Sequence, residues 1–189
     1  ACEAGASMRE NMHQMLAGRK RRKDFGVSLE EGLSAVQVTE REDLSPEELL
    51  ERLEHIAPKT IKGRTRTPRL MRAAKIAIDA PVVEKWALGY LIDTIYLRDA
   101  WMHRVDTARA TGRELTLTTE HDGRIIADVV AEWARRHGQP FTLELTGDAG
   151  GAFTSGEGGE TTVIDAVEFC CLLAGRGEAT GLFATIVPF

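Results

Sequence analysis

The sequence has little with which to cross-link itself. Its 189 residues include three cysteines, Cys2, Cys170 and Cys171, two of them adjacent. Neighbouring cysteines rarely bond to each other, and no C-x-x-C pair occurs, so neither a disulfide framework nor a cysteine zinc site is expected. A reducing, cytoplasmic setting fits that usage. No apolar run reaches the roughly 18 residues of a membrane span, and no signal peptide is visible. Basic charge is also in deficit: 24 Lys and Arg against 29 Asp and Glu leave a net charge of −5. Nucleic-acid domains are usually basic, so nucleic acid is not an expected partner, and without a spanning run neither is a membrane. An initial Met is lacking too. The stretch ACEAGASMRENMHQML carries Ala1, Ala4, Met8, Met12 and Met15 at helical spacing, so the chain is expected to begin inside a helix, with part of the natural protein missing.

What is present is enough apolar material for a core, 43% of residues, in one domain or two small ones. The first helix is expected to run to about Leu16. The basic run AGRKRRKD then breaks the pattern. It could touch phosphates, but the acidic total favours a solvated loop or helix end. A weakly amphipathic helix is expected from about Leu29. LSPEELLERLEHIA is a clear helix start, with Ser45 as N-cap, Pro46 in the first turn and Glu47 and Glu48 at the positive end of the dipole. Pro58 should end or kink it. KGRTRTPRLMRAAKIAIDAP reads as a short helical piece and a long connection.

Two cleaner helices follow. One should span about Trp86 to Thr111 and stop at Gly112. The other should span about Glu120 to His137, with a capping-box-like start at Thr119–Asp122 and a buried stripe of Ile126, Val129, Val130 and Trp133. His121 is expected at the surface, and His137 as a favourable group at the helix C-terminus. FTLELTG alternates as a strand. GAFTSGEGGETTVI reads as two short strands joined by a Gly-rich hairpin turn; GEGGE lacks a phosphate-loop pattern and carries repelling acids. DAVEFCCLLAGR is a helix whose Cys170 and Cys171 are packing residues. GLFATIV could be a last strand. The expected organisation is a helical part, residues 1–113, and a small α+β part, residues 114–189.

The stretch YLRDAWMHRVDTARATGR poses the chemical question. At about 100° per residue, Leu88, Leu91, Ile92, Ile95 and Met102 share a face. Asp99 and Asp106 then project from that face, with His103 beside them. Asp99 and His103 are four residues apart and can meet at one point. A hydrogen-bonded ion pair satisfies them, and so does a shared divalent cation such as zinc. Spacing alone favours the ion pair, since two ligands do not make a site. Arg98 and Arg109 flank the region. They could fork a carboxylate of a substrate or cofactor, or pair with neighbouring acids. Trp101 and Arg104 are expected to point away.

RDAWMHRVDTARATGR and EHDGRIIADVVAEWARRHG resemble the mycothiol-dependent maleylpyruvate isomerase family, DinB-like metal-binding proteins of actinobacteria. FTLELTG, GGAFTSGEGG, DAVEFCCLLAGR and ATGLFATIVPF resemble that family's C-terminal domain, which is similar to sterol carrier proteins. The resemblance covers roughly Tyr90 to Phe189. It implies an α+β protein in which a DinB-like four-helix bundle, its first part missing here, precedes a small α+β domain. It implies that Asp99, where the characterised isomerase pattern has Glu, and His103 are metal ligands, with Asp106 as a partner that orients His103 or an Arg. A third ligand, a His on an early helix, is expected upstream of Ala1; His13 lies about three turns too far along.

The resemblance further implies a divalent metal, zinc being the best match, and the thiol mycothiol as cofactors. The metal would favour the thiolate of mycothiol, which adds to the double bond of a small unsaturated acid and leaves after rotation. Arg176 would hold a substrate carboxylate; otherwise it is a cation at a helix C-terminus. Partners are then a small-molecule substrate and a low-molecular-weight thiol. The competing expectation is a non-catalytic small-molecule-binding protein that uses the interdomain cleft.

Overall fold

The computed structural model describes residues 8–78 and 81–189, so the expectations placed on Ala1, Cys2 and Ala4 lie outside the described residues. The chain is mixed α+β, mostly helical, with two small sheets. It forms two compact units, one ending at Tyr96 and the other spanning Leu97–Phe189. Among the described residues, no helix is long and apolar enough to cross a membrane.

In the first unit, α1 spans Met8–Phe25 and carries the basic run that was expected to break it. Lys and Arg are good helix formers, and Arg22 and Lys23 sit in the last turn, where the dipole favours cations. Helix α2 (Leu29–Thr39) starts at a Ser28–Glu31 capping box. The two pack at a glycine contact: a Cβ on Gly32 would lie 2.6 Å from the Gly18 carbonyl oxygen. Helix α3 (Pro46–Thr65) has the expected Ser45 cap, boxed with Glu48. It does not end at Pro58, which lies inside it. Pro58 and Glu54 are both exposed, so the carbonyl that Pro58 deprives of a donor can turn to water. None of the described side chains of α3 is fully buried.

The expected long connection is instead a hairpin. After α4 (Arg69–Ala73), β1 (Lys75–Ile78) and β2 (Glu84–Ala87) pair antiparallel, with Ile76 opposite Trp86. Trp86 is therefore a strand residue, not a helix start. The short α5 (Leu88–Tyr90) and a π-helical turn (Leu91–Ile95) follow. Arg72 binds them back, donating to the carbonyls of Arg64 (2.7 Å) and Thr67 (3.1 Å) and pairing with Asp93.

The second unit begins within α6 (Tyr96–Thr111), stopped as expected at Gly112, φ +65°. A π-helical turn (Thr119–Gly123) leads into α7 (Arg124–His137). Trp101, Met102 and Val105 of α6 join Ile126, Val129, Val130 and Trp133 of α7 in one core. That packing is why the division falls before Leu97 and not after residue 113. The cap lies one residue earlier than expected: Thr118 accepts from the His121 N–H, and Asp122 accepts from the Thr118 N–H at 2.7 Å. The wider π turn lengthens the box by one residue. His137 is half-buried, its ring 4.3 Å from that of Trp133. Burial lowers its pKa, and its Nδ1 accepts from the Gln139 N–H at 3.0 Å.

Strands β3 (Phe141–Thr146), β4 (Gly151–Ser155) and β5 (Glu160–Asp165) exist as expected, but β4 and β5 do not form a hairpin. The order is β4-β3-β5, with β5 parallel to β3. The GEGGE loop therefore crosses the start of β3. A Cβ on Gly159 would lie 2.4 Å from both Pro140 C and Phe141 N, so the loop presses on backbone there, while Gly156 and Gly158 take positive φ, +71° and +73°. Helix α8 (Ala166–Leu173) buries Phe169, Cys170, Cys171 and Leu173. GLFATIV holds a 3-10 turn (Gly181–Ala184) and no strand. The Val187 N–H instead caps the Leu173 carbonyl at the end of α8, at 3.1 Å.

Candidate functional site

Helix α6 buries Arg98, Trp101, Met102 and Val105. This is not the face extrapolated from Leu88, Leu91 and Ile95. The intervening π turn holds more residues per turn than an α-helix and shifts the phase. Asp99, His103 and Asp106 consequently lie at the surface, with side chains 37%, 54% and 40% exposed. The rotation of the helix takes these acids off the core stripe.

Asp99 Oδ1 lies 3.3 Å from His103 Nε2. That is long for a charge-assisted hydrogen bond. It matches the edge of a coordination tetrahedron: ligand atoms about 2.0–2.1 Å from zinc lie roughly 3.3–3.4 Å apart. The separation alone therefore suits an ion pair as well as a shared cation. Among the described residues, no group of three His, Cys, Asp or Glu side chains converges as a metal site. His13 bonds to Glu40 at 2.8 Å.

Asp106 is taken by Arg176. The guanidinium donates to both its oxygens, Nε to Oδ1 at 3.0 Å and Nη2 to Oδ2 at 2.9 Å. His103 Nδ1 is farther, 3.9 Å from Oδ2. Of the two partners expected for Asp106, the Arg is the one it holds. The hydrogen bond from Arg176 keeps the Asp106 pKa below the usual carboxylate value. A depressed carboxylate pKa contributes stability that is present above the unfolded value, about 3.9, and is lost as pH falls through the folded one. The stability gap between wild type and Asp106→Asn, read by thermal melting, should therefore hold from pH 7 to 5 and close below pH 4. A gap that does not change with pH would contradict an ionised fork.

Arg98 does not flank a ligand. It is 1% exposed. Its Nη1 donates to Glu132 (2.7 Å) and the Pro188 carbonyl (3.1 Å), and its Nη2 to Asp128 Oδ2 (2.6 Å). The expected binding role is corrected to a buried clasp among α6, α7 and the C-terminal segment. Arg109 pairs with Glu168 on α8 at 2.5 Å, so the ion-pair reading holds for it. Trp101 does not point outward but is buried, donating to Asp122 at 2.9 Å.

Two acids of this unit are buried: Asp122, expected only as part of a helix cap, and Glu132, which spacing did not single out. Burial works to raise the Asp122 pKa, but hydrogen bonds from Thr118, Trp101 and Arg104 outweigh it and leave the carboxyl below its usual value. Glu132 falls about 60° outside the stripe of Ile126, Val129, Val130 and Trp133, so its burial was not legible from the spacing and comes from its pairing with Arg98. Cys170 and Cys171 are buried free thiols whose pKa burial pushes up, so they pack and do not act as thiolates. No family model matches the chain, and comparison with curated proteins and with solved structures finds none similar to it.

Proposed function

We propose that the protein is a divalent-metal-binding, mycothiol-dependent isomerase or thiol transferase of cytoplasmic setting, acting on a small unsaturated acid. The proposal includes kinship with the mycothiol-dependent maleylpyruvate isomerase family, and a first unit that is part of a DinB-like bundle. The observation that carries it is the surface pair Asp99–His103, whose donor atoms stand 3.3 Å apart, with the Asp106–Arg176 fork on the same helix. Two ligands of this type leave coordination positions for a further protein ligand and for an exchangeable one. Asp99 and His103 would hold the ion, and a bound divalent metal would supply Lewis acidity that favours a thiolate at neutral pH.

The chain's own residues do the positioning. Asp106 holds the guanidinium of Arg176 by two of its nitrogens, Nε and Nη2. The fork fixes its plane, and Nη1 remains for the carboxylate of the acid. Arg109 and Glu168 link α6 to α8, which steadies the residues that follow α8, Arg176 among them. Arg98 and Asp122 supply the rigid backing of α6 from its buried side.

The test has two steps. Calorimetric titration with zinc should show a binding heat that Asp99→Ala and His103→Ala each remove, while both variants melt as wild type does. A titration unchanged by either substitution ends the metal reading. Mycothiol and maleylpyruvate are then supplied to the metal-loaded protein, and isomerisation is followed. Binding of the acid with no turnover would replace the enzyme by a binding protein.

A further inference from the structure

The outer face of α1 carries a feature that the proposed chemistry does not use. At about 100° per residue, Met12, Met15, Leu16, Arg19, Lys20 and Lys23 fall within roughly 140° of the circumference. Gln14 and Gly18, both buried, lie opposite. The apolar members are open to solvent, Met12 at 61% and Leu16 at 60%. Arg19, Lys20 and Lys23 are exposed too. No described residue forms an ion pair with any of these three cations. The helix's acids, Glu10 and Asp24, fall outside the arc. A face with cations only, on a chain of net charge −5, is a strong local asymmetry.

We propose that this face docks on an anionic phospholipid surface, lying on it and not across it. The complementarity has two parts arranged in series. Lys and Arg in the C-terminal half of α1 meet lipid phosphates and carboxylates, each contributing where the surface potential is negative. Met12, Met15 and Leu16 in the N-terminal half are unbranched or γ-branched side chains that can enter the headgroup–acyl boundary. From Met12 to Lys23 the helix extends about 16 Å, so a helix lying flat engages both parts together. The apolar half distinguishes this partner from a nucleic acid, which would reward the cations and leave Met12 and Leu16 with nothing to bury. The expectation that no membrane is involved, drawn from the lack of a spanning segment, therefore applies to spanning alone.

Co-sedimentation of the full chain with vesicles tests the proposal. Two compositions are used, phosphatidylcholine alone and phosphatidylcholine with about a third phosphatidylserine, in 0.1 M salt. Wild type should sediment with the anionic vesicles and not with the neutral ones. Replacing Arg19, Lys20 and Lys23 by Gln should weaken that partitioning on the order of 100-fold. Met12→Gln with Leu16→Gln should weaken it about 10-fold. All these positions are exposed, and far-UV circular dichroism confirms that each variant is folded. Equal sedimentation with both vesicle types, or none with either, overturns the proposal. So does full retention of binding by the Met12/Leu16 variant: it would leave a purely electrostatic patch, and competition by a short DNA duplex would then assign the face to nucleic acid.

Discussion

Arg98→Ala should destabilise the Leu97–Phe189 unit by about 3–5 kcal/mol, the loss expected when one partner of a buried ion pair is removed. Arg98 is 1% exposed and Glu132 is 5% exposed, so removing the guanidinium leaves a carboxylate in the core. Arg136 also donates to Glu132, at 2.8 and 2.9 Å, which places the effect toward the lower end of that range. The carbonyl of Pro188 loses its donor as well. Urea denaturation followed by Trp fluorescence measures the change directly, since Trp101 and Trp133 are both in this unit's core. A companion experiment separates a clasp from a binding residue. Arg98→Met combined with Glu132→Leu removes both charges and keeps the volume, and should recover most of the stability. If Arg98→Ala is stable to within 1 kcal/mol of wild type and instead weakens ligand binding, the burial assignment fails and the binding role returns.

Gly159→Ala should cost about 3 kcal/mol, near the upper end for overpacking. The new methyl would sit 2.4 Å from Pro140 C and from Phe141 N, and 2.5 Å from the Phe141 Cα. These are backbone atoms at the start of the central strand, so relief requires the GEGGE crossover to lift from β3. Gly158→Ala is the natural control. Its φ is +73° and nothing lies within 4 Å of its Cβ position. It should cost only the left-handed penalty of about 1–2 kcal/mol. The difference reads out topology, because in a simple β4–β5 hairpin Gly159 would face no strand and would tolerate Ala. Equal, small effects at the two positions would contradict the β4-β3-β5 order.

Local chemistry made much of the architecture readable in advance. The Ser28–Glu31 and Ser45–Glu48 boxes start α2 and α3, because a hydroxyl and a carboxylate three residues apart satisfy helix donors whatever lies around them. Gly112 and Gly138 stop α6 and α7 by adopting positive φ. The stripe Ile126, Val129, Val130 and Trp133 is buried as its period demands. Pro58 does not end α3, because a proline on a solvated helix face costs a hydrogen bond whose carbonyl can turn to water. The β1–β2 hairpin was missed because its short alternation, Ile76 and Ile78, is set among charged residues and prolines.

At the candidate site, spacing alone could bring Asp99 and His103 together, since four residues make a helical turn. It could not say which way they face. Thirteen residues separate Leu91 from Arg104, and a single π turn between them rotates everything downstream. The pairing of Asp106 with Arg176 spans 70 residues, and that of Arg98 with Glu132 spans 34. Many acids were available to each arginine, and sequence offers no rule for choosing among them.

By itself, then, the sequence determined the three helices α6, α7 and α8 and the three strands β3, β4 and β5 of the second unit, the α+β class and the meeting of Asp99 with His103. All of these depend on interactions within a few residues. Only the tertiary structure decided which arginine is buried and which is forked to Asp106, and that the glycine-rich loop crosses a strand. Burial and long-range partners are set by the core as a whole, where desolvation makes one pairing far more favourable than its alternatives.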